Sequence, residues 1–138
     1  ARRRGYDDRM SARLGDIVDL APELPHVDLV TLDRVICCYP DLEALVEATT
    51  SKAERWYGVV YPKERWYTEI GYGLANLYLW AKQTDFRMYS HEDIDETIRE
   101  QGFVPFYDTT YVLGRVTLYE REELVETVTD TAVSEGKA

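Results

Sequence analysis

Val27-Asp28-Leu29-Val30-Thr31-Leu32-Asp33, followed five residues later by Tyr39-Pro40-Asp41, is the stretch on which the fold turns. Its aliphatic and β-branched residues run almost without interruption. That pattern predicts a strand buried on both faces, as in a parallel sheet. Asp41 is placed to cap a helix, because its carboxylate can accept the free N–H groups of the first turn. Leu42, Leu45 and Val46 follow at i, i+3 and i+4 and predict the buried face of that helix. Arg55 to Tyr61 is strand-like again, so the unit reads strand, helix, strand. Such a unit puts its two strands parallel.

Working outward, residues 1–8 read as a helix end closed by Gly5. Met10 to Leu14 alternates apolar and polar residues like a short strand, and stops at Gly15-Asp16. A loop with Pro22 and Pro25 leads into the central stretch. Downstream, Lys63 to Thr84 carries Trp66, Ile70, Leu74, Leu77, Tyr78 and Ala81 on one helical stripe, which predicts a core-facing helix with Gly71 and Gly73 loosening its middle. Ser90 and Asp93 make a variant capping box for a helix whose Ile94 and Ile98 face inward. Gly102 stands at its C′ position. Phe103 to Val112 and Arg115 to Glu120 predict two strands joined tightly at Gly114. A parallel crossover needs a dozen residues or more, so this pair is antiparallel. The tail from Glu122 is polar and acidic, a frayed helix or disorder.

The chain has 138 residues, 45% hydrophobic and 30% charged, which describes one globular domain with a modest core. Its net charge of −10 repels phosphate backbones and anionic lipid heads, so neither nucleic acid nor a membrane surface is an expected partner. The two cysteines are neighbours, Cys37 and Cys38, with two scattered histidines and no ligand spacing. No disulfide framework and no metal site are expected, and a cytoplasmic location fits. Small buried residues at a strand end is the plainer reading of the pair.

The ordered series Gly15-Asp16-Ile17-Val18, a Pro-containing spacer, Val27 to Asp33, Tyr39-Pro40-Asp41 and a closing antiparallel pair resembles the middle and end of class I S-adenosylmethionine-dependent methyltransferases. The resemblance spans residues 8–121. It implies a partial Rossmann-like α/β domain over residues 1–121, comprising that family's strands three to seven, with 122–138 as a tail. The subgroup it is most similar to is the small-molecule O-methyltransferases of magnesium-protoporphyrin and ubiquinone type. Where these commonly carry a His in the loop after strand four, Cys38 stands here. The family's cofactor grip also includes a glycine-rich turn and, roughly twenty residues on, an acidic residue for the ribose. No clustered glycines precede Gly15. With Ala1 opening a charged, helix-like stretch, the chain reads as a fragment.

Carried over residue by residue, the resemblance implies that Asp16 accepts a hydrogen bond from the adenine amine and that Ile17 packs on its ring. The alternative for Asp16 is a turn residue bonding its own backbone. Leu32 and Asp33 would contact the methionine part of S-adenosylmethionine, ligands of such sheets lying beyond the carboxyl ends of the strands. Asp33 otherwise caps the strand or pairs with Arg34. For a small, apolar or aromatic methyl acceptor, Tyr39, Tyr61 and Tyr67 are the candidate walls. Asp33, Cys38 and Tyr39 lie where a general base would act, and none stands out as the catalytic residue.

Two further readings stand beside the enzyme fragment: a complete small acidic α/β interaction module without catalysis, and a piece of a dehydrogenase. If the family's first two strands are absent, Val27 to Asp33 presents a bare edge, which recruits other chains. Met10 to Leu14 would then dock beside it or be displaced, or a second molecule would pair there as a homodimer.

Overall fold

The computed structural model describes residues 9–62, 66–89, 91, 93–111 and 114–125. Four strands make one sheet: β1 (Val27–Asp33), β2 (Ala53–Pro62), β3 (Phe103–Tyr111) and β4 (Gly114–Arg121). Their spatial order is β1-β2-β4-β3. β1 and β2 are parallel, in register from Leu29 opposite Trp56 to Asp33 opposite Val60. β4 lies antiparallel to both β2 and β3, so the last strand slots between two earlier ones. The helices are α1 (Ile17–Leu20), α2 (Leu42–Thr50), α3 (Trp66–Ala81) and α4 (Ile94–Glu100).

The β1-α2-β2 unit forms as its sequence predicts. Asp41 caps α2 by accepting from the Ala44 N–H at 3.0 Å. Leu45 and Val46 then pack, fully buried, on the inner sheet face with Leu32, Tyr57, Val59, Phe103 and Tyr119. Ile94 and Ile98 of α4 cover the other end of that face. Gly102 ends α4 with φ +79°, a conformation that glycine adopts without the Cβ penalty. Buried hydroxyls are matched in pairs: Thr49 Oγ1 and Tyr57 Oη lie 2.7 Å apart. The Tyr119 hydroxyl donates to Asp95 Oδ1 at 2.9 Å.

Several expectations need correction. Met10 to Leu14 is not a strand: both end residues are exposed, and among the described residues the sheet consists of β1 to β4, so of the two expected outcomes the segment is displaced and not docked. With no partner strand, five residues gain too little from alternation to stay extended against water. β1 is not buried on both faces, since Val27 and Leu29 are 41% and 49% exposed on an edge strand. The periodicity of α3 was right and its direction wrong. Ile70, Leu74, Leu77, Tyr78 and Ala81 all face solvent, while the half-buried side carries Tyr72, Ala75, Asn76 and Leu79. Periodicity locates a helix's apolar face but does not say which neighbour covers it. Asp93 is itself the cap residue of α4, with φ +55° and no side-chain cap bond, and not the third helical residue that the expected capping box needs. Residues 1–8, Ser90 and the tail beyond 125 lie outside the described residues; 122–125 form a helical turn.

Candidate functional site

The carboxyl ends of β1 and β2 define one edge of the sheet. The chain leaves β1 there, with the Arg34 N–H donating to the Val60 carbonyl at 2.8 Å. β4 begins and β3 ends at the same edge, Arg115 opposite both Tyr61 and Thr110.

On one side of this edge Asp16 caps α1, accepting from the Val18 N–H at 2.9 Å through Oδ1. The Tyr39 hydroxyl, 23 residues away in sequence, donates to the same oxygen at 2.8 Å. Asp16 is exposed, and among the described residues its Oδ2 accepts no hydrogen bond. Ile17 and Tyr39 are half-buried against the core cluster that contains Leu32. Three of the sequence candidates, Asp16, Ile17 and Tyr39, are thus in one patch, and a fourth, Leu32, is in the core cluster against which Ile17 and Tyr39 pack. Asp33 is not with them. It alternates to the outer sheet face and pairs with Arg34 at 3.1 Å, both exposed.

The loop beneath this patch is tied down. His91 Nε2 lies 2.8 Å from the Tyr39 carbonyl, and the Tyr89 N–H donates to the Cys37 carbonyl at 2.8 Å. Cys37 is buried and Cys38 half-buried, with their sulfurs 3.6 Å apart. Burial, then the Cys38 hydrogen bond, pushes the Cys37 thiol up to about 11. Burial and then the Asp16 carboxylate raise the Tyr39 phenol to about 12. Tyr39 therefore keeps its proton at neutral pH and donates it to Asp16, the opposite of what a general base does.

On the other side of the edge, Tyr61 opens into a cleft of about 560 Å³ lined by Asp93, Asp95, Asp108, Thr110 and Arg115. Arg115 grips Asp108 through two bonds of 2.7 and 2.9 Å, and Thr117 adds a third at 3.1 Å. The guanidinium holds the Asp108 carboxyl below the usual carboxylate range. Burial pushes the Tyr61 phenol up. Tyr39 does not line this cleft. Tyr67 lies in the first turn of α3, and its side chain is outside the described residues. The Asp108–Arg115 clamp had not been expected. Its signal is alternation: Asp108, Thr110, Arg115 and Thr117 put polar groups on one face of the hairpin, where an ordinary core would be apolar. No group of three or more metal-ligating residues exists among the described residues, and no described helix is long and apolar enough to cross a membrane.

Comparison of the fold with solved structures returns methyltransferases. The magnesium protoporphyrin IX methyltransferase of Synechocystis PCC 6803 with bound SAH aligns at TM-score 0.57 and 19% identity, over 78% of this chain and 48% of that one. An O-methyltransferase family protein from Burkholderia thailandensis aligns at TM-score 0.60 and 10% identity, over 78% and 34%. An O-methyltransferase family 2 protein from Planctomyces limnophilus DSM 3776, in complex with apigenin, gives 0.55 and 21%, over 78% and 33%. This chain therefore spans less than half of each structure it matches. By sequence, no protein-family model and no curated protein matches it.

Proposed function

From a sheet that has the fold of part of these methyltransferases, we propose that residues 9–121 are the carboxyl-terminal part of an S-adenosylmethionine-dependent methyltransferase domain. The tail that follows lies outside it. The observation that carries the reading is the sheet itself: a parallel β1–β2 pair continued by β4 antiparallel between β2 and β3, in an arrangement that 78% of the chain shares with those enzymes. The acceptor would be a small aromatic or apolar molecule; one of the matched proteins is in complex with a molecule of that kind, apigenin.

The Asp16 patch fits an adenosyl group chemically. Oδ2, which accepts no hydrogen bond from the described residues, offers an acceptor to an exocyclic amine, and half-buried Ile17 offers a flat ring an apolar support. Leu32, in the cluster that Ile17 and Tyr39 pack against, and Asp33, which stands apart at the end of β1, would serve the methionine part. When bound, the cofactor supplies an electrophilic methyl group on a sulfonium. Methyl transfer is an in-line displacement, so the chain's contribution is positioning. Tyr39 fixes Asp16 and, through its carbonyl and His91, the loop from which an acceptor is approached. Tyr61 and Tyr67 would wall the acceptor. The glycine-rich turn and ribose carboxylate would come from residues outside those described.

The same reading accounts for the β1 edge and the outer sheet face that the described residues leave uncovered. In a complete domain an upstream half would cover them, and in the chain alone a second copy would. Titration calorimetry tests the proposal on two proteins. The 138-residue chain should bind S-adenosylmethionine weakly or not at all, and the full reading frame should bind it. Tight binding by the short chain would show that the missing elements are not needed. Absence of binding by both would leave the acidic interaction module as the better reading.

A further inference from the structure

Cys37 and Cys38 are the only cysteines in the chain, and both thiols point the same way. Each approaches the carbonyl oxygen of Arg34, at 3.4 and 3.7 Å, and their sulfurs stand 3.6 Å apart. The short 3-10 turn that carries them is held from behind by the Tyr89 bond to the Cys37 carbonyl.

The spacing discriminates among the things two thiols can do. A disulfide between neighbours is strained, because adjacent α-carbons across a trans peptide lie about 3.8 Å apart, below the range of about 4.4–6.8 Å that disulfides occupy. A linear two-coordinate ion with bonds of about 2.3 Å would need the sulfurs about 4.6 Å apart. Bonds of that length close the observed 3.6 Å gap at roughly 100°, the angle of a pyramidal or tetrahedral centre. A tetrahedral zinc would require two more protein ligands, and no group of three or more candidate ligands exists among the described residues. What remains is a bent thiophilic centre that needs only two protein sulfurs and brings its own third bond.

We propose that Cys37 and Cys38 form a vicinal dithiol site for a trivalent arsenical or an equivalent pyramidal, thiophilic centre. With phenylarsine oxide the reaction balances without an oxidant. Two sulfur–arsenic bonds form, the arsenic–oxygen bond breaks, and the two thiol protons leave with that oxygen as one water. Arsenic remains trivalent and sulfur is not oxidised. Half-buried Cys38 makes the first bond, and buried Cys37 closes the chelate. The site owes nothing to the proposed methyl transfer.

The test is intact-mass spectrometry of the 138-residue protein after treatment with phenylarsine oxide. The expected result is one phenylarsenic group per chain, taken up without denaturant, kept in excess 2-mercaptoethanol and released by 2,3-dimercaptopropanol. Cys38→Ser, checked for native circular dichroism, should lose the group to the monothiol at a concentration about tenfold lower or less. If that variant does not fold, the monothiol and dithiol arms on the wild-type chain still decide. The proposal is overturned if the wild-type chain releases arsenic to the monothiol as readily as to the dithiol, or takes it up only in urea.

Discussion

Burial and the Asp16 carboxylate hold the Tyr39 phenol at about 12, and burial alone does the same for Tyr57, in each case from an ordinary 10. Both folded values lie above the unfolded one. The stabilisation is therefore complete below pH 10 and is lost as pH rises through 10 toward 12. Urea midpoints should fall over that interval, and less steeply in Tyr57→Phe, because its buried phenol no longer resists ionisation. An identical slope in the variant would assign the alkaline loss elsewhere. A second residue-scale expectation concerns Asp16. On the proposed reading, Asp16→Ala in the full reading frame removes one hydrogen bond worth about 0.5–1.5 kcal/mol, so affinity for S-adenosylmethionine should drop a few-fold to tenfold. Calorimetry showing no change would leave Asp16 as the cap of α1 and the anchor of Tyr39 only. The turn at Gly15-Asp16 was legible, and the alternative reading of Asp16 as a residue bonding nearby backbone is what its cap of α1 shows; its bond to Tyr39 was not legible, since nothing in a sequence links residues 23 apart.

At the scale of elements, the contrast between α2 and α3 is open to direct measurement. Both are amphipathic, but Leu45 is fully buried and Leu74 and Leu77 are 64% and 60% exposed. Leu45→Ala should cost about 2–5 kcal/mol in urea denaturation, the range for core leucines. Leu74→Ser with Leu77→Ser should change stability by about 0.5 kcal/mol or less, as surface positions do. A large loss in the double variant would mean that the apolar stripe of α3 is covered after all. Gly102 offers a third comparison. With φ +79°, Gly102→Ala should cost about 1–2 kcal/mol. The β1-α2-β2 unit, the Asp41 cap and the closing hairpin could all be read in advance because each rests on contacts local in sequence. The failure at α3 has a physical cause: an apolar stripe reports that something covers it, and in this chain's described residues nothing does.

For the whole molecule, the described residues cover one face of the sheet and leave the other bare. Leu29, Trp56, Val60, Val116 and Tyr107 share the outer face across β1, β2, β4 and β3. Leu29 and Tyr107 there are about half exposed, at 49% and 51%. Exposed apolar area of that kind, next to an unpaired strand edge, drives association. Sedimentation velocity of the isolated chain should show concentration-dependent dimers or larger species, and Leu29→Lys should reduce them. A monodisperse monomer at all concentrations would count against an uncovered face. Net charge could not forecast this, because −10 is a sum over the surface and says nothing about how apolar atoms are gathered on one side.

The insertion of β4 between β2 and β3 also governs how the molecule can be made. Synthesis runs from the amino terminus, and every strand but the last can leave the ribosome while β2 still lacks its second neighbour. β3 cannot take that place for good without excluding β4, which pairs with both. The sheet is therefore completed by its final eight residues, and a nascent chain arrested before Gly114 leaves β2 without its second neighbour. A stop codon a few positions short of that strand's end would do more harm than its position suggests, and the remedy a cell applies would be degradation of the nascent product rather than tolerance of a shortened one.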